Sequence, residues 1–298
     1  MTTLDVYGFG DERAPASRLA VALGAPMSIV PVHRFPDAET RPQVAAPAAE
    51  TVVIYRSLDR PNGKLVDLLL TADALRRAGA RRVILVAPYF CYLRQDAVFA
   101  PGEPLSRDVI APIIGRAFDA VVTVQAHLHR TGDLSALLGV PTANLIPVEA
   151  LAAALPAYDG PPLILGPDQE SSPWVNAWAA QLGGEPMTLA KTRFGDRHVK
   201  AASDARLAEA AGRAVVIVDD IASSGVTLVK ALLLLRQIGA ASVDIAVTHA
   251  MTPPRVTAAL TAGGARCIVS TDSIRHSTNA AALAPLLASA VQSIRSRL

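Results

Sequence analysis

Residues 215–227 read Val-Val-Ile-Val-Asp-Asp-Ile-Ala-Ser-Ser-Gly-Val-Thr, and their pattern indicates the fold class. The aliphatic run predicts a buried strand, and residues 228–238 carry apolar side chains at helical spacing. Strand, short loop and helix in this order form the repeating unit of a parallel α/β sheet. The strand lacks in–out alternation, which is typical of a sheet that helices cover on both faces.

Strand-like and helix-like segments alternate in the same way along the rest of the chain. Strands are predicted over residues 4–8, 28–32, 51–55, 82–87, 120–125, 162–166, 187–190, 214–219, 243–248 and 266–270. Helices are predicted over residues 65–78, 106–118, 174–182, 228–238 and 279–298. We therefore expect an α/β fold of two similar domains, each with a mainly parallel sheet flanked by helices. The N-terminal domain is predicted to span residues 1–149 and the C-terminal domain residues 150–298, with a Pro- and Gly-rich break at 155–162.

The composition argues against several classes of function. The net charge is only +2 and aromatic residues make up 4%, so we expect no nucleic-acid partner. The longest apolar runs are too short to span a bilayer, and the first residues do not resemble a signal peptide. The two cysteines, Cys91 and Cys267, lie far apart and suggest buried free thiols in a reducing compartment. A cytoplasmic protein without a membrane partner is the expectation.

The loop after the aliphatic run has the chemistry of a phosphate site. Its hydroxyl groups and its glycine lie just before a helix, where backbone N–H groups and the helix dipole favour anions. These residues are Ser223, Ser224, Gly225 and Thr227. The adjacent carboxylates of Asp219 and Asp220 would repel a phosphate unless sugar hydroxyls or a cation lie between them. The loop therefore indicates a phosphorylated sugar together with a divalent metal ion.

Three further polar clusters follow predicted strands, at the edge where open α/β sheets bind ligands. Lys191 and Arg193 belong to a basic loop that could close over transferring phosphates, although a solvated charged loop is the alternative. Asp168 is placed to bind a metal–diphosphate unit, while helix capping alone would explain the serines beside it. His127 could bind magnesium directly or through water.

Two segments of the first domain offer groups for a nucleotide. Arg94 could contact a polyphosphate, and Phe35 offers an aromatic face for stacking. Gln95, Asp37 and Glu39 offer the hydrogen-bonding groups that a purine edge needs. These residue types favour a purine nucleotide as a second ligand.

Taken in this order, the segments resemble those of the ribose-phosphate pyrophosphokinases. Residues 219–227 resemble the phosphoribosyl-binding loop, and residues 35–39 resemble the Phe-x-Asp-Gly-Glu adenine segment. Residues 94–96 end a stretch similar to Pro-Tyr-x-x-Tyr-x-Arg-Gln-Asp. Asp168 lies in a segment similar to the diphosphate loop, and residues 191–193 are similar to the Lys-x-Arg of the flexible catalytic loop.

The resemblance implies transfer of the diphosphoryl group of Mg-ATP to the 1-hydroxyl of ribose 5-phosphate, with release of AMP. It implies these roles: Lys191 and Arg193 in catalysis; Asp219, Asp220, Ser223, Ser224, Gly225 and Thr227 in ribose 5-phosphate binding; Phe35, Asp37, Glu39, Arg94, Gln95 and Asp96 in ATP binding; and His127 and Asp168 in Mg²⁺ binding. It also implies a homo-oligomer with the ATP site near a subunit interface.

Several residues depart from the family pattern. Ala38 replaces a glycine, Gln125 replaces the aspartate two residues before the metal histidine, and Glu170 replaces a glycine of the diphosphate loop. Ser223 replaces a third aspartate and makes the loop similar to that of type I phosphoribosyltransferases. Such a transferase, and a non-catalytic paralogue that regulates a true synthetase, stay open as alternative functions.

Overall fold

A computed structural model of the protein describes residues 3–98, 100–128, 132–166, 171–189 and 207–298. The chain forms two compact units, Met1–Leu145 with Leu283–Leu298, and Ile146–Ala282. The described strands are β1 (Leu4–Gly8), β2 (Met27–Ile29), β3 (Val32–Arg34), β4 (Thr40–Pro42), β5 (Thr51–Tyr55), β6 (Arg82–Ala87), β7 (Ala120–Val124), β8 (Thr142–Leu145), β9 (Leu163–Gly166), β10 (Glu185–Thr188), β11 (Ala214–Ala222), β12 (Ser242–Ala250), β13 (Cys267–Thr271) and β14 (Asn279–Ala281). The described α-helices are α1 (Arg13–Leu23), α2 (Pro61–Arg77), α3 (Ser106–Ala117), α4 (Leu134–Leu138), α5 (Val148–Ala152), α6 (Ser172–Leu182), α7 (Val226–Ile238), α8 (Pro254–Ala262) and α9 (Ala284–Arg295).

The first unit is built on a parallel sheet with the strand order β2-β1-β5-β6-β7-β8. Side chains such as Val53 and Ile84 point from this sheet into a core that includes α1 and α9. The intervening residues Val52 and Leu85 are fully buried as well, so both faces of the sheet are covered. A separate antiparallel hairpin, β3–β4, packs against α2.

The last helix belongs to the first unit, whereas the predicted domain boundary assigns all of residues 150–298 to the second. Leu287, Val291 and Ile294 of α9 are buried in the same core as Leu19 of α1. Burial of this apolar stripe explains why the chain returns to the first sheet. The predicted helix over residues 279–298 was also too long, because its first residues form β14 beside β13.

The second unit repeats the strand order of the first, with β10-β9-β11-β12-β13-β14 in place of β2-β1-β5-β6-β7-β8. All of its strand pairs are parallel. Helices α7 and α8 bury Leu232 and Leu260 on one face, and α5 and α6 bury Leu151 and Trp178 on the other. The predicted fold class, two similar α/β units with parallel sheets between helices, is confirmed.

Among the described residues, no helix is both long enough and apolar enough to cross a bilayer.

Candidate active site

The two adjacent acids lie within β11, which is longer than the sequence predicts. Pairing with β12 continues past the acids, since Ile221 lies opposite His249 and Ala222 opposite Ala250. The backbone N–H of Asp220 donates to Oδ1 of Asp219 at 2.9 Å, and that of Ile221 donates to Oδ1 of Asp220 at 2.8 Å. These local bonds orient both carboxylates near the carboxyl end of a strand that stays paired with β12 to Ala222.

The loop that follows is shaped by Gly225. Its φ of 72° is left-handed, and a Cβ atom there would lie 2.2 Å from Cγ1 of Val256. Helix α7 begins at the next residue, and Leu228 is buried beneath it. The first-turn N–H groups of a helix have no intrahelical acceptor, and here they follow directly on the loop. Ser224 and Thr227 are exposed beside them, so hydroxyl and N–H donors meet at one helix end.

A network of buried polar groups supports the neighbouring strand ends, and sequence reasoning missed it. His249 is 1% exposed, and its Nδ1 lies 2.9 Å from Oγ of Ser273. The hydroxyl of Thr271 donates to Oγ of Ser273 at 2.9 Å, and Ser273 also donates to the carbonyl of Thr248 at 3.2 Å. Two features of the sequence could have revealed this network. Thr248 and His249 lie at the end of one predicted strand, and the hydroxyl-rich residues 270–273 lie at the end of the next.

His276 binds the segment around Thr252, which packs against Gly225. Its Nε2 lies 2.9 Å from the carbonyl oxygen of Thr252, and its Nδ1 lies 2.7 Å from Oγ1 of Thr278. Thr252 in turn lies beside Gly225, because Cγ2 of Thr252 would be 3.4 Å from a Cβ atom there. His276 lies between β13 and β14. Its two polar contacts therefore stabilise the segment of Thr252, which packs against Gly225, and with it the shape of the loop.

The proposed adenine segment forms the turn of the β3–β4 hairpin in the first unit. The N–H of Phe35 donates to the carbonyl of Glu39 at 2.9 Å, and the N–H of Glu39 donates to Oδ1 of Asp37 at 3.1 Å. The guanidinium of Arg41 lies 5.6 Å from the centre of the Phe35 ring. Ala38 has a φ of 71°, a left-handed conformation that explains a glycine at this position in a family pattern. The turn presents Phe35, Asp37 and Glu39 to solvent.

The segment after β6 carries the three other residues predicted to bind ATP. Arg94 is exposed, whereas Gln95 and Asp96 are half-buried. Oε1 of Gln95 accepts a hydrogen bond from Ser106 at the start of α3, at 2.7 Å. The hydroxyl of Tyr92 donates to Asn62 of α2. The segment is thus tied to two helices, and Arg94 remains at the surface.

His127 follows β7 and is half-exposed. The two residues before it are held by β8 and its side chains: the N–H of Gln125 donates to the carbonyl of Leu145 at 2.7 Å, and that of Ala126 donates to Oδ1 of Asn144 at 2.9 Å. Gln125 has a φ of 39°. The strand therefore turns sharply just before the histidine.

Several predicted site residues fall outside the part of the chain that the structure describes. These are Asp168 and Glu170 of the diphosphate segment and Lys191 and Arg193 of the basic loop. Within residues 3–98, 100–128, 132–166, 171–189 and 207–298, no three His, Cys, Asp or Glu side chains come close enough to hold a metal ion by themselves.

A buried ionic cluster lies at the carboxyl edge of the first sheet, and sequence reasoning missed this cluster too. Arg56 is 5% exposed; it contacts Asp11 at 2.6 Å and lies 4.2 Å from the centre of the Phe9 ring. Lys64 contacts Glu12 at 2.8 Å. Burial raises the pKa of Glu12, although the Lys64 and Arg56 charges pull that pKa down. In the equivalent place of the second sheet, β11 carries two acids and the loop after it carries hydroxyl groups, so the repeated units present different chemistry at matching strand ends.

Comparisons with known proteins show which family the chain resembles. The model of the N-terminal domain of ribose phosphate pyrophosphokinase matches residues 6–117, and that of the phosphoribosyl transferase domain matches residues 142–258. A ribose-phosphate pyrophosphokinase of Methanopyrus kandleri is 34% identical over 93% of this chain and 94% of its own length. One from Granulibacter bethesdensis is 30% identical over 98% of this chain and 96% of its own. The crystal structure of phosphoribosylpyrophosphate synthetase from Mycobacterium smegmatis shares the fold, with a TM-score of 0.84, 24% identity, and coverage of 99% of this chain and 100% of that one.

Proposed function

Because the chain belongs to the ribose-phosphate pyrophosphokinase family, we propose that it transfers the diphosphoryl group of Mg-ATP to the 1-hydroxyl of ribose 5-phosphate. The observation that carries this proposal is the geometry of residues 219–227. Two oriented carboxylates lie near the end of β11, and hydroxyl and N–H donors follow at the start of α7. A phosphorylated sugar needs both kinds of group, acceptors for its hydroxyls and donors for its phosphate.

Each part of the loop has a separate task in sugar binding. Ser223, Ser224 and Thr227 donate to the 5-phosphate, and Gly225 lets the backbone approach it closely. Asp219 and Asp220 accept hydrogen bonds from the ribose hydroxyls and so orient the 1-oxygen. Because Asp220 is only 6% exposed, its carboxylate can contribute a fixed direction that a surface side chain would lack.

ATP is assigned to the first unit. Phe35 offers its ring to the adenine, and Asp37 and Glu39 offer acceptors for the exocyclic amine. The exposed guanidinium of Arg94 suits the triphosphate, with Gln95 and Asp96 beside it.

In the chemical step, the sugar 1-oxygen bonds to the β-phosphorus while the bond from that phosphorus to the α-phosphate oxygen breaks, releasing AMP. Alignment and charge neutralisation account for most of the catalysis of such a transfer. Lys191 and Arg193 stabilise the charge that develops on the transferring group and on AMP.

The donor set of the chain fits magnesium as a partner of the substrates. Mg²⁺ favours oxygen ligands and is held by one or two carboxylates together with substrate phosphates. His127 and Asp168 would hold the ion, and when bound it would neutralise charge on the triphosphate.

A homo-oligomer with the ATP segment near a subunit interface is part of the proposal. Val66 and Leu70 of α2 are 52% and 42% exposed, and Val109 and Ile113 of the adjoining α3 are 55% and 42% exposed. Such an apolar patch is typical of a surface that associates. The β3–β4 hairpin packs on the same α2 helix, which supports an ATP segment close to that surface. Sedimentation as a monomer at assay concentration would contradict this part.

We assign the protein to the cytoplasm, a compartment that suits its phosphorylated substrates and the free thiols of Cys91 and Cys267.

The test is AMP formation by the purified protein with Mg-ATP, with and without ribose 5-phosphate. The proposal predicts AMP only when the sugar is present, and Asp220→Asn should weaken use of the sugar far more than binding of ATP. Release of diphosphate from phosphoribosyl diphosphate plus a base would favour a phosphoribosyltransferase. No activity in either assay, together with tight binding to a second synthetase chain, would favour the regulatory paralogue.

A further inference from the structure

Asp67 is a residue of α2 that takes part in none of the steps above. Asp67 is 2% exposed, which is rare for a carboxylate without several partners. Its Oδ2 lies 3.8 Å from Nη2 of Arg34, and its Oδ1 has no hydrogen-bond partner among the described residues. A buried polar atom without a partner is costly, so each one calls for an explanation such as a functional role or a bound water.

The hairpin contributes a second buried atom of the same kind. Thr40 of β4 lies directly opposite Arg34 of β3, and opposite residues of an antiparallel pair point to the same face. Oγ1 of Thr40 is also buried without a partner among the described residues. Arg34 therefore has Asp67 of α2 as its contact and Thr40 as its cross-strand neighbour. Three polar side chains converge where the hairpin meets the helix.

The position of this cluster links it to the nucleotide segment. Arg34 is the last residue of β3, and Phe35 follows it immediately. The 3.8 Å separation is an ion-pair contact that is longer than a hydrogen bond. A shift of the hairpin by about 1 Å would bring the guanidinium and carboxylate into hydrogen-bond range. Because Phe35 follows Arg34 directly, such a shift of the hairpin would also move Phe35.

We propose that Asp67 is a positioning residue for the nucleotide: through Arg34 it anchors the base of the β3–β4 hairpin and so directs Phe35, Asp37 and Glu39 toward ATP. The inference rests on the proposed function, because it takes the hairpin as the adenine segment. Thermodynamic linkage makes the effect reciprocal: ATP that binds the anchored hairpin more tightly than the unanchored one also stabilises the contact between Arg34 and Asp67.

Four matched variants test the proposal. Asp67→Asn keeps the shape of the side chain and removes its charge. Thr40→Val keeps the shape of its side chain and removes the hydroxyl group. Arg34→Met changes a residue whose side chain is 66% exposed, so folding should tolerate it. The control is Asp73→Asn, an exposed acid of the same helix that pairs with Arg77.

Two measurements separate anchoring from catalysis. Hydrogen exchange of residues 32–42 should speed up by about tenfold in Asp67→Asn and Arg34→Met, and stay unchanged in Asp73→Asn. The equilibrium Kd for ATP should rise by about tenfold in the same two variants, whereas the KM for ribose 5-phosphate stays within about twofold. Thr40→Val removes a buried hydroxyl that has no partner among the described residues, so exchange of residues 32–42 should stay unchanged or slow down, and the Kd for ATP should stay within about twofold.

Each outcome decides a different point. Equal hairpin exchange in Asp67→Asn and Asp73→Asn would overturn the anchor. A looser hairpin with unchanged ATP affinity, or with equal losses for ATP and sugar, would overturn the positioning role. If the unaltered protein bound ATP but made no AMP, the proposed function would fail while the anchor could still be judged by exchange and affinity.

Discussion

Replacing Gly225 by alanine tests whether the loop before α7 is held in the shape that a phosphate requires. The substitution meets two obstacles, a φ of 72° and a Cβ position 2.2 Å from Cγ1 of Val256. Val256 belongs to α8, where a β-branched side chain has essentially one rotamer, so its methyl group cannot simply turn away. The loop or the helix must therefore move.

Gly239 offers a matched control at the other end of α7. It has a φ of 89°, but a Cβ atom added there would have nothing within 4 Å of it. A left-handed alanine costs about 1–2 kcal/mol, partly offset because alanine restricts the unfolded chain. Overpacking adds about 1–3 kcal/mol. Gly239→Ala should therefore lower the free energy of unfolding by about 1 kcal/mol, and Gly225→Ala by about 2–4 kcal/mol.

Urea unfolding followed by tryptophan fluorescence measures the free energy of unfolding of the second unit, where both glycines lie. The chain has two tryptophans, Trp174 and Trp178, and both lie in α6 of the second unit. Gly225→Ala should also raise the KM for ribose 5-phosphate, whereas Gly239→Ala should not. The second change Val256→Ala should restore part of the lost stability in Gly225→Ala. Equal destabilisation by the two alanines, with an unchanged KM for the sugar, would refute the reasoning.

Three other predictions concern catalysis, thiol reactivity and the hairpin turn. Lys191→Ala should cut turnover by about 100-fold or more with little change in sugar binding, and a near-normal rate would contradict a catalytic role for Lys191. Burial raises the pKa of Cys91 to about 12, so its thiolate stays scarce until the pH approaches that value, whereas the half-buried Cys267 should react first. Labelling of Cys91→Ser and Cys267→Ser at pH 8 checks the order, and faster labelling of Cys91 would contradict it. Ala38→Gly should relieve a left-handed alanine and slow hydrogen exchange of the turn by up to about fivefold, and faster exchange would contradict that relief.

The elements that the sequence predicts best are those with continuous apolar runs between polar boundaries. β1 and β6 match their predicted residues, 4–8 and 82–87, because burial on both faces leaves little ambiguity. Local composition failed where tertiary pairing decides the structure. Asp219 and Asp220 are poor strand formers, yet pairing with β12 extends the strand through them. Similarly, the strand predicted over residues 28–32 divides, since pairing with β1 ends at Ile29 and the chain then enters the hairpin.

The candidate site likewise has parts that follow from local sequence and parts that only tertiary contacts create. The order of strand, loop and helix around residues 219–227 was predictable because residue types and their spacing are local properties of the chain, and phosphate binding by this loop stays a prediction. The groups that support it, His249 with Ser273 and His276 with Thr252, lie 24 residues apart in each pair and meet only through the strand order. The contact between Arg34 and Asp67 was hidden for the same reason, as neither residue departs from an ordinary surface pattern.

The most direct test of the central claim follows the phosphates of ATP in the presence of ribose 5-phosphate. With ATP labelled at the β-phosphorus, the label should appear in a phosphoribosyl diphosphate, and with ATP labelled at the α-phosphorus it should appear only in AMP. Label from the β-position recovered in ADP or free phosphate, with none on the sugar, would contradict the account.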